Sequence, residues 1–383
     1  MTRHVVVIGA GPVGLAAALG ALARGFEVTV LERESVGASI RRWGATRFFS
    51  PLAMNVPPGA AELIRLPDPG MILTGPEYVD AVLVPLARSA PLANRVREHH
   101  AVVAVARAGM SRTELVGHPV RAERAFLILV ETPDGEREIE ADAVLDASGV
   151  SGPVALGVRG ERAASPYIVR TLGDVYERRH DLAGRRVALV GHGHSAANAL
   201  NMLAGVAAEA PATRVVWAVR TANLRPVVDV ASDPLPERQR IVAGANELAA
   251  KPPAWLRVER RATVRVIESL NGSLRITLSG DRIVEVDRVI ALIGARPDLS
   301  IASELALDLA PATEGAGGIA RRLANVTDCL SVPALSPADL VSGEPGFHLI
   351  GAKSYGRART FLLQTGFAQL NVILDGLVDN VSR

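Results

Sequence analysis

A glycine-rich turn between a short apolar run and an apolar helix constrains the fold more than any other feature of the sequence. Residues 5–8 show no polar alternation, which is typical of a strand buried on both faces of a parallel sheet. Gly9, Gly11 and Gly14 then supply the spacing Gly-x-Gly-x-x-Gly. The first glycine permits a tight turn, the second lets the backbone approach a pyrophosphate, and the third lets the following helix pack closely. The pattern predicts a dinucleotide-binding unit.

The residues around this turn favour the same interpretation. Pro12 lies in the first turn of a helix predicted over residues 12–24, and Gly25 ends it. The next predicted strand, residues 26–31, leads into Glu32 and Arg33, and an acid at position 32 can accept hydrogen bonds from an adenosine ribose. The alternative is a glycine-rich turn of some other α/β protein. We expect no membrane span, because glycines and a proline interrupt the apolar run, and no signal peptide, because no basic n-region, apolar core and cleavage site precede it.

Composition excludes several classes of protein. A chain of 383 residues is long enough for two or three domains. The formal charge is +2 and the basic residues are scattered, so nothing indicates a nucleic-acid partner. The single cysteine, Cys329, excludes an internal disulfide and favours a reducing, cytoplasmic location. Only two of the 42 basic residues are lysines, Lys251 and Lys353, which makes each of them notable.

The opening pattern repeats about 180 residues later. A strand predicted over residues 185–190 is followed by a second glycine-rich turn and a helix that runs to about residue 208. This turn and helix start contain Gly191, Gly193, His194, Ser195 and Ala196. The next predicted strand, residues 213–219, leads into Arg220 rather than an acid, and a guanidinium there can bind the 2′-phosphate of NADPH. Two such units predict two dinucleotides bound by one chain.

The segment between the first unit and residue 76 is rich in loops and in aromatic and basic residues. Arg41 and Trp43 belong to it, and arginine forks and aromatic faces suit a phosphate clamp or a cover over a planar ligand. The alternative is a surface loop whose aromatic side chains pack into the hydrophobic core.

The remaining pattern predicts an α/β fold of two Rossmann-like dinucleotide-binding domains, each with an antiparallel β-meander, the second inserted in the first. The predicted domain limits are residues 1–158 and 287–383 for the first domain and 159–286 for the second. Helices are predicted over residues 77–88, 237–250 and 361–377, and strands over residues 101–106, 126–131, 137–140, 143–145, 258–266, 274–278, 286–293 and 347–350.

These motifs make the chain similar to flavoproteins with two dinucleotide-binding domains, the superfamily of flavin-containing monooxygenases, N-hydroxylating monooxygenases and thioredoxin-reductase-like enzymes. The resemblance implies that the first glycine motif and Glu32 hold the ADP part of FAD, and that Val102 contacts the adenine. Ser148-Gly149 matches the turn that ends the first half, Gly294 begins the corresponding second turn, and Gly351 and Ser354 belong to the segment that lies against the flavin. The second glycine motif would hold NADPH.

The chain departs from this family at three places. The Phe-x-Gly-x-x-x-His signature is absent from residues 155–185, and no dithiol is present. Where the family has Gly-Asp near the C-terminus, with an acid that binds the ribityl chain, this chain has Gly351-Ala352 followed by Lys353.

The resemblance implies an FAD-dependent oxidoreductase reduced by NADPH, most readily a monooxygenase that oxygenates a small molecule through a flavin C4a-(hydro)peroxide. One alternative is an NAD(P)H-dependent reductase or dehydrogenase without oxygen insertion, and another is a non-catalytic flavoprotein. The expected partners are a small-molecule substrate and dioxygen, and a homo-oligomer is compatible with the sequence. We expect no metal site, because no Cys/His pair has zinc-site spacing.

Lys353 is the candidate catalytic residue. Its position between a predicted strand and a predicted helix places it near the ribityl chain, the pyrophosphate or the N1–C2 edge of the flavin, where a cation would stabilise the charge of the reduced ring. The alternative is a lysine on a solvent-facing loop.

Overall fold

Two five-stranded parallel sheets form the framework of the chain. The structure is a computed structural model that describes residues 3–150 and 152–379. The strands in these residues are, in chain order, β1 (His4–Ile8), β2 (Glu27–Leu31), β3 (Val96–Arg97), β4 (Ala101–Arg107), β5 (Phe126–Thr132), β6 (Gly135–Ala141), β7 (Ala143–Asp146), β8 (Gly152–Pro153), β9 (Ile168–Val169), β10 (Arg186–Val190), β11 (Arg214–Ala218), β12 (Leu256–Glu259), β13 (Val264–Ser269), β14 (Leu274–Leu278), β15 (Ile283–Val286), β16 (Arg288–Ala291), β17 (Ala295–Arg296) and β18 (Phe347–Leu349).

The α-helices connect and cover these strands. They are, in chain order, α1 (Pro12–Ala23), α2 (Ala38–Arg41), α3 (Ala60–Leu63), α4 (Gly75–Tyr78), α5 (Val84–Ala87), α6 (Leu172–Glu177), α7 (Arg179–Leu182), α8 (His194–Glu209), α9 (Pro236–Ala250), α10 (Gly317–Arg322), α11 (Ala352–Tyr355) and α12 (Leu363–Asp379). None of the helices in the described residues is both long and apolar enough to cross a membrane.

The first sheet has the strand order β18-β7-β1-β2-β3, with all neighbours parallel. The central strand β1 has Val5, Val6 and Val7 completely buried, because helices and the meander cover both faces of the sheet. Ligands of open parallel sheets bind outside the carboxyl ends of the strands. The residues that follow β1, β7 and β18 therefore meet at the candidate site.

The second sheet repeats this arrangement with the order β12-β11-β10-β16-β9. Its central strand β10 buries Val187 and Leu189 against α8 and α9. Each sheet is accompanied by a three-stranded antiparallel meander, β4-β5-β6 or β13-β14-β15, and the short antiparallel pair β8–β17 lies where the chain passes between the two sheets.

The predicted fold class, two Rossmann-like units with a meander each and the second inserted in the first, is confirmed by this topology. The domain limits at residues 158/159 and 286/287 stay predictions, and the outer limits at residues 1 and 383 lie outside the described residues.

Two local predictions are wrong. Residues 258–266, predicted as one strand, form the end of β12 and the start of β13, which belong to different sheets. Arg261 between them has a φ of 50°, a left-handed conformation that breaks the strand. Residues 286–293, also predicted as one strand, divide in the same way, because Val286 ends β15 of the meander and β16 of the second sheet covers only Arg288–Ala291. The helix predicted over residues 361–377 is present as α12 (Leu363–Asp379).

The helix predicted over residues 77–88 is present but contains a π-helical turn. Val79–Leu83 has this wider winding between α4 and α5. Pro85 follows at once in α5, and proline has no N–H to donate to the preceding turn. The wider turn accommodates that missing hydrogen bond within a continuous helix.

Candidate functional site

The first glycine turn leaves open space in front of helix α1. Gly9 has a φ of 99°, and a Cβ there would lie 3.0 Å from the carbonyl oxygen of Ala147. A Cβ on Gly14 would lie 1.9 Å from the carbonyl oxygen of Gly9, so only glycine allows the helix to pack this closely. A Cβ on Gly11 would meet no atom within 4 Å. The turn is therefore closed on the protein side and open on the side where a diphosphate would meet the helix N-terminus.

A cleft begins at this turn and runs along the carboxyl ends of the first sheet. The space in front of these strand ends is about 930 Å³ and includes the part that is open to solvent. It brings together the predicted residues Gly9, Glu32, Arg33, Val102, Ser148, Gly149 and Lys353. These residues come from both ends of the chain, and the cleft fits the adenosine and diphosphate parts of FAD.

Glu32 is held in place by two backbone amides. Its Oε2 atom accepts a hydrogen bond from the N–H of Ala10 at 2.8 Å, and its Oε1 atom accepts one from the N–H of Glu34 at 2.9 Å. The carboxylate lines the cleft next to the glycine turn. Each oxygen retains a lone pair that a ribose hydroxyl can use.

Several predicted residues do not line the cleft. Arg41 pairs with Asp80 at 2.5 Å on the surface, and Trp43 packs on Phe48 with ring centroids 5.0 Å apart. The hydroxyl of Ser354 is buried, donating to Gly351 and accepting from Gln369. The other predicted residues outside the cleft lining shape the backbone of the turns: Gly11, Pro12, Gly14, Gly294 and Gly351.

The cleft also contains residues that the sequence analysis did not single out. Arg42 lines it, rather than Arg41, and His100 lies beside Val102. Asp298 reaches the cleft from the loop after Gly294. Hydrogen bonds from Ser300 hold the pKa of the Asp298 carboxyl below its ordinary value, and the nearby charges of Lys353 and Arg33 add to this effect. The position of Asp298 at the end of the segment Gly294-Ala-Arg-Pro-Asp298 is the sequence feature that could have indicated it as a cleft residue.

The second glycine turn has the same construction as the first. Gly191 has a φ of 120°, and a Cβ there would lie 2.2 Å from the carbonyl oxygen of Leu292. Its own carbonyl accepts a hydrogen bond from the indole N–H of Trp217 at 2.6 Å. A Cβ on Gly193 would meet no atom within 4 Å, so open space again lies in front of a helix, here α8. This turn fits the diphosphate of a second dinucleotide.

The predicted residues around the second turn divide into exposed and buried positions. His194 and Ser195 are exposed at the start of α8, Ala196 is buried beneath them, and Arg220 is exposed just beyond β11. Burial lowers the pKa of His192, and the charges of Arg220 and Arg359 lower it further. Arg220 therefore acts electrostatically on this turn, although its own side chain is open to solvent.

The loop-rich aromatic segment between the first unit and residue 76 contacts the second glycine turn. The ring of Phe49 lies edge-on to the imidazole of His194, with centroids 5.3 Å apart. Although the His194 side chain is exposed to solvent, the surrounding protein partly desolvates the imidazole and lowers its pKa, and the charges of Arg238 and Arg359 add to this effect. The interpretation of this segment as a partly packed excursion is supported by Phe48, which is buried against Tyr78.

Lys353 is buried, so the alternative of a solvent-facing lysine is wrong. Its Nζ atom lies 2.7 Å from Oδ2 of Asp146 and donates a hydrogen bond of 2.7 Å to Oγ of Ser148. The side chains of Lys353 and Asp146 are 1% and 0% exposed. Asp146 ends strand β7 and was not predicted as a site residue.

Cys329 contacts a buried arginine of helix α9. Its Sγ atom accepts a contact of 3.2 Å from Nη1 of Arg238, a buried side chain that also pairs with Asp233 and Asp328. Burial raises the pKa of the Cys329 thiol, although Arg238 opposes this effect. Among the described residues, no group of three or more His, Cys, Asp and Glu side chains is arranged to hold a metal ion.

Two glycine turns, each at the carboxyl edge of a parallel sheet and each open in front of a helix, define a protein that binds two dinucleotides. Residues 3–319 match the family described as pyridine nucleotide-disulphide oxidoreductase. The chain belongs to this family. No curated protein matches it in sequence.

Solved structures share the fold over the whole length of the chain. A bacillithiol disulfide reductase from Bacillus cereus has 17% sequence identity and a TM-score of 0.69, with 99% of this chain and 100% of that chain covered. A flavin-containing monooxygenase from Stenotrophomonas maltophilia has 20% identity and a TM-score of 0.65, with 99% of each chain covered. The ornithine N-hydroxylase of Kutzneria sp. 744 has 14% identity and a TM-score of 0.65, with both chains fully covered.

These findings confirm the resemblance to flavoproteins with two dinucleotide-binding domains, the oxidoreductase class and the predicted cofactor pair of FAD with a nicotinamide dinucleotide. They do not distinguish oxygenation from reduction, since disulfide reductases and monooxygenases both share the fold.

Proposed function

We propose that the protein is an FAD-dependent oxidoreductase that is reduced by NADPH and oxygenates a small molecule. The first cleft would hold FAD and the second glycine turn would hold NADPH. When bound, FAD would take a hydride from NADPH and make its electrons available to dioxygen. The protein would act in the cytoplasm on a small-molecule substrate.

The observation that carries the choice of oxygenation is the state of the single thiol. Disulfide reduction through the protein needs a reactive thiolate and commonly a second cysteine. Cys329 is the only cysteine, its pKa is raised by burial, and the charge of Arg238 is already paired with two carboxylates. The chain therefore offers no thiolate to carry electrons from the flavin to a disulfide, whereas dioxygen needs no such side chain.

The second candidate function is an NADPH-dependent reductase that passes electrons from the flavin directly to a small acceptor. The similarity to the bacillithiol disulfide reductase from Bacillus cereus over the full length of both chains favours it. The third candidate function is that of a non-catalytic flavoprotein.

One experiment separates these candidates. The FAD-loaded protein is reduced by NADPH without oxygen, air is then admitted, and the flavin spectrum is followed together with hydrogen peroxide. An oxygenating enzyme should return to the oxidised spectrum only after a lag. Immediate return with one equivalent of peroxide, together with efficient reduction of added disulfides or quinones, would establish the reductase. A flavin that neither NADPH nor NADH bleaches would leave the non-catalytic alternative.

We expect Arg220→Ala to weaken the use of NADPH selectively. A guanidinium beside the turn can form charge-assisted hydrogen bonds with the 2′-phosphate, which NADH lacks. Loss of one such bond, ~1.5 kcal/mol, should raise the KM for NADPH about tenfold while the KM for NADH changes little. Steady-state kinetics with both coenzymes tests this.

Arg214→Ala is the matched control for Arg220→Ala. Arg214 is an exposed arginine at the opposite end of β11, and its guanidinium donates to backbone carbonyls of Pro211 and Thr213. This variant should leave both KM values unchanged. An equal rise for NADPH and NADH in Arg220→Ala would remove Arg220 from the 2′-phosphate site.

A further inference from the structure

A buried ion pair lies in the wall of the FAD cleft. Lys353 comes from the short helix α11 and Asp146 from the end of β7, so the pair joins two segments about 200 residues apart in the chain. Removing two charges from water is costly, and a buried pair adds little net stability compared with well-packed apolar side chains. Its position next to the cleft suggests a role in binding rather than in folding.

The contacts of the pair leave the ammonium group with one unused donor. Oδ1 of Asp146 accepts from both the N–H and the hydroxyl of Ser148, at 3.0 and 2.7 Å. Nζ of Lys353 donates to the same hydroxyl oxygen, and its approach to Oδ2 of Asp146 is an ion pair without a well-aligned hydrogen bond. An ammonium has three N–H donors. One donor is directed to the Ser148 hydroxyl and one faces the Asp146 carboxylate at 2.7 Å, so among the described residues one donor has no acceptor.

The position of Lys353 in the cleft points to one part of the cofactor. Lys353 lines the same space as Gly9, Ser148 and Gly149, at the mouth of the first glycine turn. The diphosphate of a dinucleotide lies at such a turn. The other two basic side chains in the lining, Arg33 and Arg42, both pair with Glu34.

We infer that Lys353 binds the diphosphate of FAD and that Asp146 is the positioning residue that holds its ammonium group. This inference rests on the FAD site of the proposed function. Lysine suits the position because it offers a compact charge on a flexible stem. The effect of Lys353 is therefore on the affinity for FAD rather than on the reduction potential of the ring.

The test compares Lys353→Met with the double variant Asp146→Asn/Lys353→Met. The dissociation constant of FAD is measured by titrating the apoprotein, at low and high salt, and the midpoint potential of the bound flavin is measured on the reloaded protein. Loss of a charged hydrogen bond should weaken FAD binding about 10- to 150-fold in both variants. The salt dependence of binding should become smaller, and the midpoint potential should stay unchanged.

The double variant distinguishes the loss of a contact between Lys353 and the diphosphate from repulsion of the diphosphate by an unpaired Asp146 carboxylate. Lys353→Met alone leaves the Asp146 carboxylate buried and able to repel a diphosphate, whereas the double variant is neutral at both positions. Affinity that returns to the wild-type value in the double variant would overturn the inference, and so would normal affinity in both variants. A lower midpoint potential with normal affinity would also overturn it, because Lys353 would then act on the flavin ring.

Lys251→Met is the control, since Lys251 is the only other lysine and is exposed at the end of α9. It should bind FAD as the wild type does. A wild-type protein that does not bind FAD at all would refute the FAD site itself, a failure distinct from that of Lys353.

Discussion

Replacing Glu344 by glutamine should remove a large part of the stability of the fold. Glu344 is completely buried and accepts hydrogen bonds from Arg107 at 2.8 Å and from Arg121 at 2.7 Å. Arg107 also stacks on the ring of Phe126, 3.7 Å from its centroid. Glutamine would leave two buried guanidinium groups without their anion. Breaking a buried pair in this way costs ~3–5 kcal/mol, which is a large fraction of the stability of an ordinary domain.

Glu344 matters to the cleft as well as to stability. Its arginine partners belong to β4 and to the segment before β5, whereas Glu344 itself lies just before β18, which leads to Gly351 and Lys353. The ion pairs thus fasten the first meander to the strand that positions Lys353. We expect Glu344→Gln to weaken FAD binding in addition to lowering the free energy of unfolding.

The measurement is chemical unfolding at saturating FAD and at neutral pH. Asp80→Asn is the control, because it breaks the ion pair between Asp80 and Arg41 on the surface, and such pairs contribute ~0–1 kcal/mol. A loss in Glu344→Gln no larger than that of the control would contradict the assignment of a structural role to this cluster.

The pH dependence of stability follows from the same cluster. Burial alone would raise the pKa of Glu344, but the hydrogen bonds from Arg121 and Arg107 outweigh it and lower the pKa below the ordinary value of 4.5. A carboxyl with a depressed pKa stabilises the fold above its unfolded pKa, and this contribution is lost as the pH falls through the folded pKa. The wild type should therefore lose stability below about pH 4.5, and Glu344→Gln should lose less there.

The sequence predicts those parts of the fold whose signal is local. Each glycine turn lies between a buried strand and a helix within about 30 residues, so spacing alone predicts the turn, the helix and a bound dinucleotide. The same holds for Glu32, which follows its strand directly and lines the cleft as expected. Which dinucleotide each turn would hold comes from the resemblance to the flavoproteins.

Features that depend on distant parts of the chain were not predictable in this way. The alternation of residues 258–266 is continuous, but β12 pairs with β11 and β13 pairs with β14, and no local pattern shows which sheet a segment joins. The rarity of lysine and the place after Gly351 make Lys353 notable in the sequence, yet its ion-pair partner Asp146 lies more than 200 residues earlier in the chain. Likewise, Arg41 and Arg42 are neighbours in sequence, and only the orientation of α2 decides that Arg42 faces the cleft.

A methyl group added at Gly11 or at Gly193 should abolish one cofactor site at a time. Neither residue has a positive φ, with values of −83° and −89°, and an added Cβ would meet no protein atom within 4 Å at either position. Alanine should therefore leave the fold intact. Its methyl group would occupy the space through which a diphosphate approaches the helix N-terminus.

We expect each variant to weaken the binding of one cofactor and to leave the other unaffected. Gly11→Ala should weaken FAD binding about 5- to 150-fold, which corresponds to ~1–3 kcal/mol for overpacking a close contact, with little change in the KM for NADPH once FAD is saturating. Gly193→Ala should retain FAD and raise the KM for NADPH by a similar factor. Titration of the apoprotein with FAD and steady-state kinetics at saturating FAD measure the two effects.

Gly14→Ala is the comparison variant, because Gly14 is needed for the packing of helix α1 and not for contact with a cofactor. Its Cβ would lie 1.9 Å from the carbonyl oxygen of Gly9, so this variant should lower the thermal unfolding temperature of the apoprotein, which Gly11→Ala should not. If Gly11→Ala impaired NADPH and Gly193→Ala impaired FAD, the two sites would have to be exchanged. If neither variant affected either cofactor, the open space in front of α1 and α8 would not be where the diphosphates bind.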